Sequence, residues 1–160
     1  MGVICKFPGV KPLLRQTGLA LNTLYVVVLC MLPMTSWAEL AVIVNPQNPV
    51  EDLSAREVTK LFLGRLRMYP GTDLETEVID QQEDQPAFRD FYHQLVRMNQ
   101  SKLMRYRASY LFSGQGNLPT ELPDEAAVKR YVASHINAIG YIDVSAVDDS
   151  VRVIHSVNSK

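Results

Sequence analysis

The feature that most constrains the fold is a set of short apolar runs that alternate with stretches of helical periodicity. The first run is LAVIVN, residues 40–45, in which five apolar residues follow one another. A strand with one wet face alternates apolar and polar residues, so a continuous run indicates a strand that is covered on both faces. A small domain covers both faces of a strand by packing helices on either side of its sheet.

Residues 53–64, LSAREVTKLFLG, carry the signals of a capped helix. Ser54 is the expected N-cap, and Glu57 stands three residues later, where it completes a capping box. Gly64 is expected just after the last turn, in the position that favours a left-handed residue. The predicted buried stripe of this helix consists of Val58, Leu61 and Phe62.

The same patterns place the remaining elements. Apolar runs predict three more strands, at residues 75–80, 138–144 and 150–157. Periodicity and capping residues predict three more helices: one starting near Pro86, one capped by Ser101 and one starting near Asp124. The expected order is β, α, β, α, α, α, β, β. We therefore predict an α/β domain built as a single three-layer lobe, with a small sheet flanked by helices.

Residues 1–38 are predicted to be a secretory signal peptide. Basic residues precede the apolar run at 24–32, and Ser36 and Ala38 provide small residues at the −3 and −1 positions of a cleavage site. The run is shorter than the roughly 20 residues of a membrane-spanning helix. We therefore expect cleavage after Ala38 and one folded domain over residues 39–160.

Charge and cysteine content narrow the function of this domain. Residues 39–160 carry 13 Lys and Arg against 17 Asp and Glu. A mildly acidic domain is a poor candidate for nucleic-acid binding, which needs a basic surface. Both cysteines, Cys5 and Cys30, lie in the predicted signal peptide, so the exported domain is held together by its core without a disulfide. We expect a periplasmic location.

No set of residues supports a catalytic or metal site. His93, His135 and His155 do not have the spacing of a metal site on one helix or hairpin. Ser113 lacks the G-x-S-x-G frame of a nucleophile elbow. We predict a protein that is not an enzyme, with no catalytic residue, no metal and no cofactor. The basic pairs in RLR, 65–67, and RYR, 105–107, are expected on the solvated surface.

One candidate for ligand contact is the turn at residues 80–87, DQQEDQPA. It joins a strand to a helix, and the unpaired N–H groups at such a helix start attract anions. The turn nevertheless has no glycine, Ser or Thr, and Asp80 and Glu83 contribute to its acidity. Those acids and Pro86 also stabilise the helix start itself. The candidate contacts here are Asp84, Gln85 and Ala87.

The other candidate is the glycine-rich loop SGQGN, residues 113–117. Successive backbone N–H groups of such a loop can wrap a phosphate, although the Lys of a P-loop is missing. A simple bend between two elements is the alternative interpretation. The candidate contacts in this loop are Ser113, Gly114 and Gly116.

Three stretches, taken in order, resemble the substrate-binding protein of phosphate ABC transporters. The region LAVIVNPQNPV to LSAREVTKLFLGRLRMY resembles the family's apolar strand and short helix with an I-F/Y-L-G-K ending. FSGQGN resembles its G-K-G-N loop, and VKRYVASHINAIGYIDVSAV resembles its V-A-x-T-P-G-A-I-G-Y-V signature. The resemblance covers roughly residues 41–147. It implies half of a type 2 periplasmic binding protein, a single lobe with a small mixed sheet.

The resemblance also implies that the usual phosphate ligands are missing. The family holds phosphate between two lobes and contacts it with an R-x-D-G-S-G-T turn. Here the arginine position falls at or near Asp80, and the Ser-Gly-Thr positions fall near Gln85, Pro86 and Ala87. Charge-assisted hydrogen bonds contribute roughly 1.5–3 kcal/mol each. Their loss predicts phosphate binding weaker by on the order of a thousandfold or more.

Two functions remain open at this point. The first is a periplasmic solute-binding protein that binds a small oxyanion or other small solute weakly, or as one half of a dimer. The second is a periplasmic accessory module that has lost its ligand and contacts a periplasmic or membrane protein. The signal peptide and the ordered motifs favour the first, and the acidic turn favours the second. The sequence leaves the ligand, the partner and the oligomeric state open.

Overall fold

A computed structural model describes residues 39–114 and 118–157, which form five strands and four α-helices. The strands are β1 (Leu40–Val44), β2 (Glu77–Gln81), β3 (Thr120–Leu122), β4 (Ala138–Asp143) and β5 (Arg152–Val157). The α-helices are α1 (Ala55–Phe62), α2 (Pro86–Gln94), α3 (Gln100–Phe112) and α4 (Glu125–Ser134). A 3₁₀ turn, Val144–Ala146, follows β4. The predicted signal peptide, residues 1–38, lies outside the described residues and stays a prediction.

The strands form one mixed sheet in the order β3-β2-β4-β1-β5. β1 pairs antiparallel with β4 and β5, whereas β2 pairs parallel with β3 and β4. Every residue of β1 is buried, as its continuous apolar run predicts. Helices α1, α2 and α3 contribute to a core cluster that contains Phe62, Phe91 and Tyr141, and α4 contributes to a second cluster. The predicted α/β lobe with a small mixed sheet is confirmed.

The predicted start of α1 is also confirmed. The Ser54 hydroxyl accepts the Glu57 N–H at 3.3 Å, and the Glu57 carboxylate accepts the Ser54 N–H at 2.9 Å. The helix ends before Gly64, whose φ of 70° is favourable for glycine. A Cβ at this position would lie 2.7 Å from the Tyr110 hydroxyl oxygen, so the close approach of α3 also requires glycine here.

Two details of the element order differ from the prediction. The N-cap of α3 is Asn99, whose side chain accepts the Lys102 N–H at 2.9 Å, and Ser101 lies inside the helix. A short strand, β3, precedes α4 and was not expected, because three residues are too few to show a periodicity. In the part of the chain that the structure describes, no helix is long and apolar enough to cross a membrane.

Candidate functional site

The end of β2 carries a buried carboxylate at Asp80, the position at which the resemblance places the arginine of the phosphate-binding turn. Asp80 is fully buried. The Tyr92 hydroxyl from α2 donates to its Oδ2 at 2.7 Å, and the Tyr141 hydroxyl from β4 donates to its Oδ1. Arg107 from α3 forms an ion pair with the same carboxylate. These donors satisfy a charge that would otherwise be costly to bury.

Arg107 joins four elements through its guanidinium group and is only 5% exposed. Its Nη2 contacts Asp80 and donates to the Tyr92 hydroxyl oxygen at 2.8 Å, and its Nη1 donates to Glu121 Oε1 at 3.1 Å. The guanidinium carbon lies 5.4 Å from the centroid of the Phe88 ring, within cation–π range. Arg107 therefore reaches from α3 to Phe88 in the first turn of α2.

The prediction that Arg107 lies on the solvated surface is wrong, while its neighbour Arg105 is exposed as expected. The cluster RYR is divided because α3 turns one arginine inward and the other outward. A usable signal was present in the sequence, since Arg107 follows the buried Leu103 by four residues and precedes Tyr110 by three. That spacing places Arg107 on the buried face, where a cation requires a buried acid.

Burial controls the protonation of this cluster. It raises the pKa of the Asp80 carboxyl, although Arg107 and the two tyrosine hydroxyls act in the opposite direction. Burial, followed by the charge of Asp80, raises the pKa of Tyr92 and of Tyr141 well above the ordinary value. Both tyrosines therefore keep their protons and serve as donors to Asp80 at physiological pH.

The start of α2 differs from the other helix starts. Its N-cap residue, Gln85, makes no side-chain capping bond. In the other three described α-helices the N-cap side chain accepts a backbone N–H, and these residues are Ser54, Asn99 and Asp124. Because Pro86 has no N–H, the N–H groups of the first turn that lack a side-chain cap belong to Ala87 and Phe88. This turn can accept an outside anion.

The residues predicted in the turn lie together at this helix start. Asp84 is exposed, and Gln85 and Ala87 are half-buried. The Gln85 amide donates a long 3.5 Å bond to Asp84, and Ala87 packs against the core. The preceding turn is fixed by the Gln82 N–H, which donates to the Leu122 carbonyl of β3 at 3.0 Å. Binding at these residues stays a prediction.

The residues predicted in the glycine-rich loop lie at the other end of α3. The Ser113 hydroxyl donates to the Tyr110 carbonyl at 2.7 Å, and Gly114 has a φ of 65°, so both act in ending the helix. Gly116 lies outside the described residues. A cavity of about 590 Å³ opens beside this end, and its lining includes Gly64, Arg67, Thr76, Glu77, Tyr110 and Leu118.

Of the candidate contact residues that the structure describes, none lines that cavity: Asp84, Gln85, Ala87, Ser113 and Gly114 all lie outside its lining. Within the described residues, the two predicted stretches are therefore not brought together in one cavity. No group of three or more metal-ligating side chains occurs within residues 39–114 and 118–157. At the start of α2, a helix without a side-chain cap lies beside the buried guanidinium group of Arg107.

Comparison with solved structures identifies the architecture. An ABC-type phosphate transport receptor from Vibrio cholerae matches 73% of this chain with a TM-score of 0.58 and 20% sequence identity. The chain has the fold of about half of a phosphate-binding protein. A protein from Clostridium perfringens, solved with bound phosphate and described as a phosphate ABC transporter substrate-binding protein, matches with a TM-score of 0.59 and 24% identity. PstS from Borrelia burgdorferi matches with a TM-score of 0.58 and 13% identity.

The chain spans less than half the length of these proteins, covering 46%, 45% and 47% of them. No protein-family model matches the sequence, and no curated protein matches it. Identities of this size establish the fold. The structural neighbours are described as a phosphate transport receptor and a substrate-binding protein. The comparisons confirm the predicted resemblance at the level of the fold.

Proposed function

We propose that this chain is an exported solute-binding lobe that binds a small oxyanion weakly at the start of α2. The observation that carries the proposal is a first helical turn without a side-chain cap, beside the guanidinium of Arg107. Backbone N–H groups at a helix start attract anions. The neighbour from Clostridium perfringens holds phosphate, which supports an oxyanion as the class of ligand.

Two features make this binding weak. Arg107 is already paired with Asp80 and Glu121. Glu83 and Asp84 precede the helix start and repel an anion. With two N–H groups as the principal donors, we expect dissociation constants on the order of millimolar, about 4 kcal/mol of binding free energy.

A nuclear magnetic resonance titration of ¹⁵N-labelled protein, purified after export, tests the proposal. Phosphate and sulfate are added at constant ionic strength, and the amide resonances of Ala87 and Phe88 are expected to shift and reach saturation in the millimolar range. The amide of Ala127 is the matched control, because the Asp124 side chain already accepts it at 2.7 Å. Equal shifts at both helix starts, or none up to 50 millimolar (about fifty times the expected constant), would contradict the proposal.

The second candidate is an accessory module that binds a protein. It is favoured by two adjacent apolar side chains at the end of α3, Leu111 and Phe112, which are 52% and 94% exposed. Exposed apolar surface is typical of protein-contact sites. The triple substitution Gln85→Ser, Pro86→Gly and Ala87→Thr separates the candidates. Tighter oxyanion binding indicates a solute-binding lobe that has lost donors, whereas no detectable binding by either wild type or the triple variant favours the accessory module.

A further inference from the structure

The guanidinium of Arg107 has an inner and an outer carboxylate partner. The inner partner is Asp80, whose side chain is fully buried, and the outer partner is Glu121, whose side chain is 40% exposed. Asp80 is also held by Tyr92 and Tyr141, whereas Glu121 is held by a 3.1 Å bond to Nη1. The inner pair is therefore part of the core, and the outer carboxylate can be exchanged without disturbing it.

We infer that Glu121 occupies an anion subsite on the outer side of Arg107, and that a small oxyanion, a carboxylate or a phosphate, binds there in its place. This inference rests on the proposed function, because it names the residue that limits anion affinity at the start of α2. Glu121 is an intramolecular substitute for the ligand. It presents the same chemical group, a carboxylate oxygen, to the same guanidinium nitrogen that a ligand would use.

The subsite adjoins the uncapped start of α2. Arg107 lies over the ring of Phe88, the third residue of that helix. The strand that carries Glu121 is tied to the turn before α2 by the bond from the Gln82 N–H to the Leu122 carbonyl. An anion on the outer side of Arg107 is therefore next to the turn whose N–H groups lack a side-chain cap.

The local charges favour release of Glu121. Burial raises the pKa of the Glu121 carboxyl, Arg107 lowers it, and the charges of Asp80 and Glu83 raise it further. The carboxylate of Glu121 is thus held against repulsion from two other acids. Removing the Glu121 carboxylate takes one negative charge from this cluster. It leaves Arg107 paired with Asp80.

The test compares wild-type protein with Glu121→Ala and Glu121→Gln, titrated separately with acetate and with inorganic phosphate. We expect the Glu121→Ala variant to bind at least one of the two anions about tenfold more tightly, a difference of about 1.4 kcal/mol. Asp148→Ala is the matched control, because it removes a carboxylate from an ion pair with Lys129. Its anion affinity should equal that of wild type. The acetate and phosphate titrations distinguish a carboxylate ligand from a phosphate ligand.

The outcomes separate this inference from the proposed function. If wild type shows saturable shifts at Ala87 and Phe88 and neither Glu121 variant binds more tightly, the inference is overturned and the proposed function stands. If wild type is silent and Glu121→Ala binds, the anion subsite on Arg107 is supported and the proposed function of the native chain is overturned. Silence in all variants overturns both. Glu121→Gln keeps the size of the side chain and serves if Glu121→Ala does not fold.

Discussion

Asp80 and Arg107 form a buried ion pair, in which each charged side chain requires the other as its partner. Neither charge has bulk water around it, and each supplies the other's principal partner. Removing one member of a buried ion pair leaves an uncompensated charge, which costs more than the pair contributes when it is intact. The chain cannot lose Arg107 alone without loss of stability, whatever the lobe binds.

We predict that Arg107→Met destabilises the protein by about 3–5 kcal/mol, because Asp80 is left as a buried charge without its cation. Urea unfolding of both proteins measures the difference. Arg105→Met is the matched control on the same helix, since Arg105 is exposed and its replacement should change stability by less than about 0.5 kcal/mol. Similar losses in the two variants would contradict the burial of Arg107.

A second residue-scale prediction concerns Asp148, which lies on the surface. The hydrogen bond from the Lys129 ammonium, with help from Ser150, lowers the pKa of the Asp148 carboxyl to about 2. A carboxyl whose pKa is lower in the folded state contributes stability that is present above its unfolded pKa of about 4, and this contribution is lost as the pH falls toward 2.

The substitution Asp148→Asn removes this contribution. Urea unfolding at pH 5, 3 and 2 and constant salt should show wild type more stable at pH 5 and the two proteins converging at pH 2. Glu51→Gln is a suitable reference because Glu51 is an exposed carboxylate. A stability difference between wild type and Asp148→Asn that does not change with pH would rule out the lowered pKa.

At the scale of elements, α2 has the helix start that can be improved. Replacing Gln85 by Asp supplies an N-cap side chain for the N–H groups of the first turn, and we expect about 0.5–1 kcal/mol of added stability. The same carboxylate occupies the N–H groups of the first turn and repels phosphate. The phosphate-induced shifts of the Ala87 and Phe88 amides should therefore disappear. Thermal unfolding and the amide titration measure the two effects.

Gln85→Glu is the control for this prediction. It introduces the same charge with a longer side chain that is a poor N-cap, so it should weaken anion binding without the gain in stability. A stabilisation by Glu equal to that by Asp would indicate that charge alone acts at this helix start. Loss of binding only with Asp would indicate that occupation of the N–H groups decides it.

The elements also show which signals the sequence carries. The α1 capping box, Pro86 at the start of α2 and the apolar run of β1 are local patterns, and the structure has all three. The cap of α3 was misplaced because Asn99 and Ser101 are both good N-caps within two residues. The Asp80–Arg107 pair joins residues 27 positions apart, and no local pattern identifies such a partner.

At the scale of the molecule, the sheet sets what a single lobe can do. Its inner strands β2, β4 and β1 are flanked on both sides, and the two edge strands are β3 and β5. The chain spans less than half the length of its solved neighbours, so the structural match concerns the fold of this lobe.

We predict that the exported protein begins at Glu39, because Ser36 and Ala38 have the small side chains that signal peptidase requires. Mass spectrometry of the periplasmic fraction measures the mature mass. Ala38→Arg should leave the precursor uncleaved, whereas Ala41→Gly, beyond the cleavage site, should not change processing. A mature protein that retains residues 1–38 would contradict the domain boundary.

The position of β3 has a consequence for the order in which the lobe opens. This strand has three residues, lies at the sheet edge and pairs with β2 on one side. Local unfolding begins at such elements, so the amide protons of β3 are expected to exchange with deuterium much faster than those of β1 and β4. Glu121 thus lies on the strand that is expected to open first, and we expect fraying of this edge to expose Arg107 while the rest of the lobe stays folded.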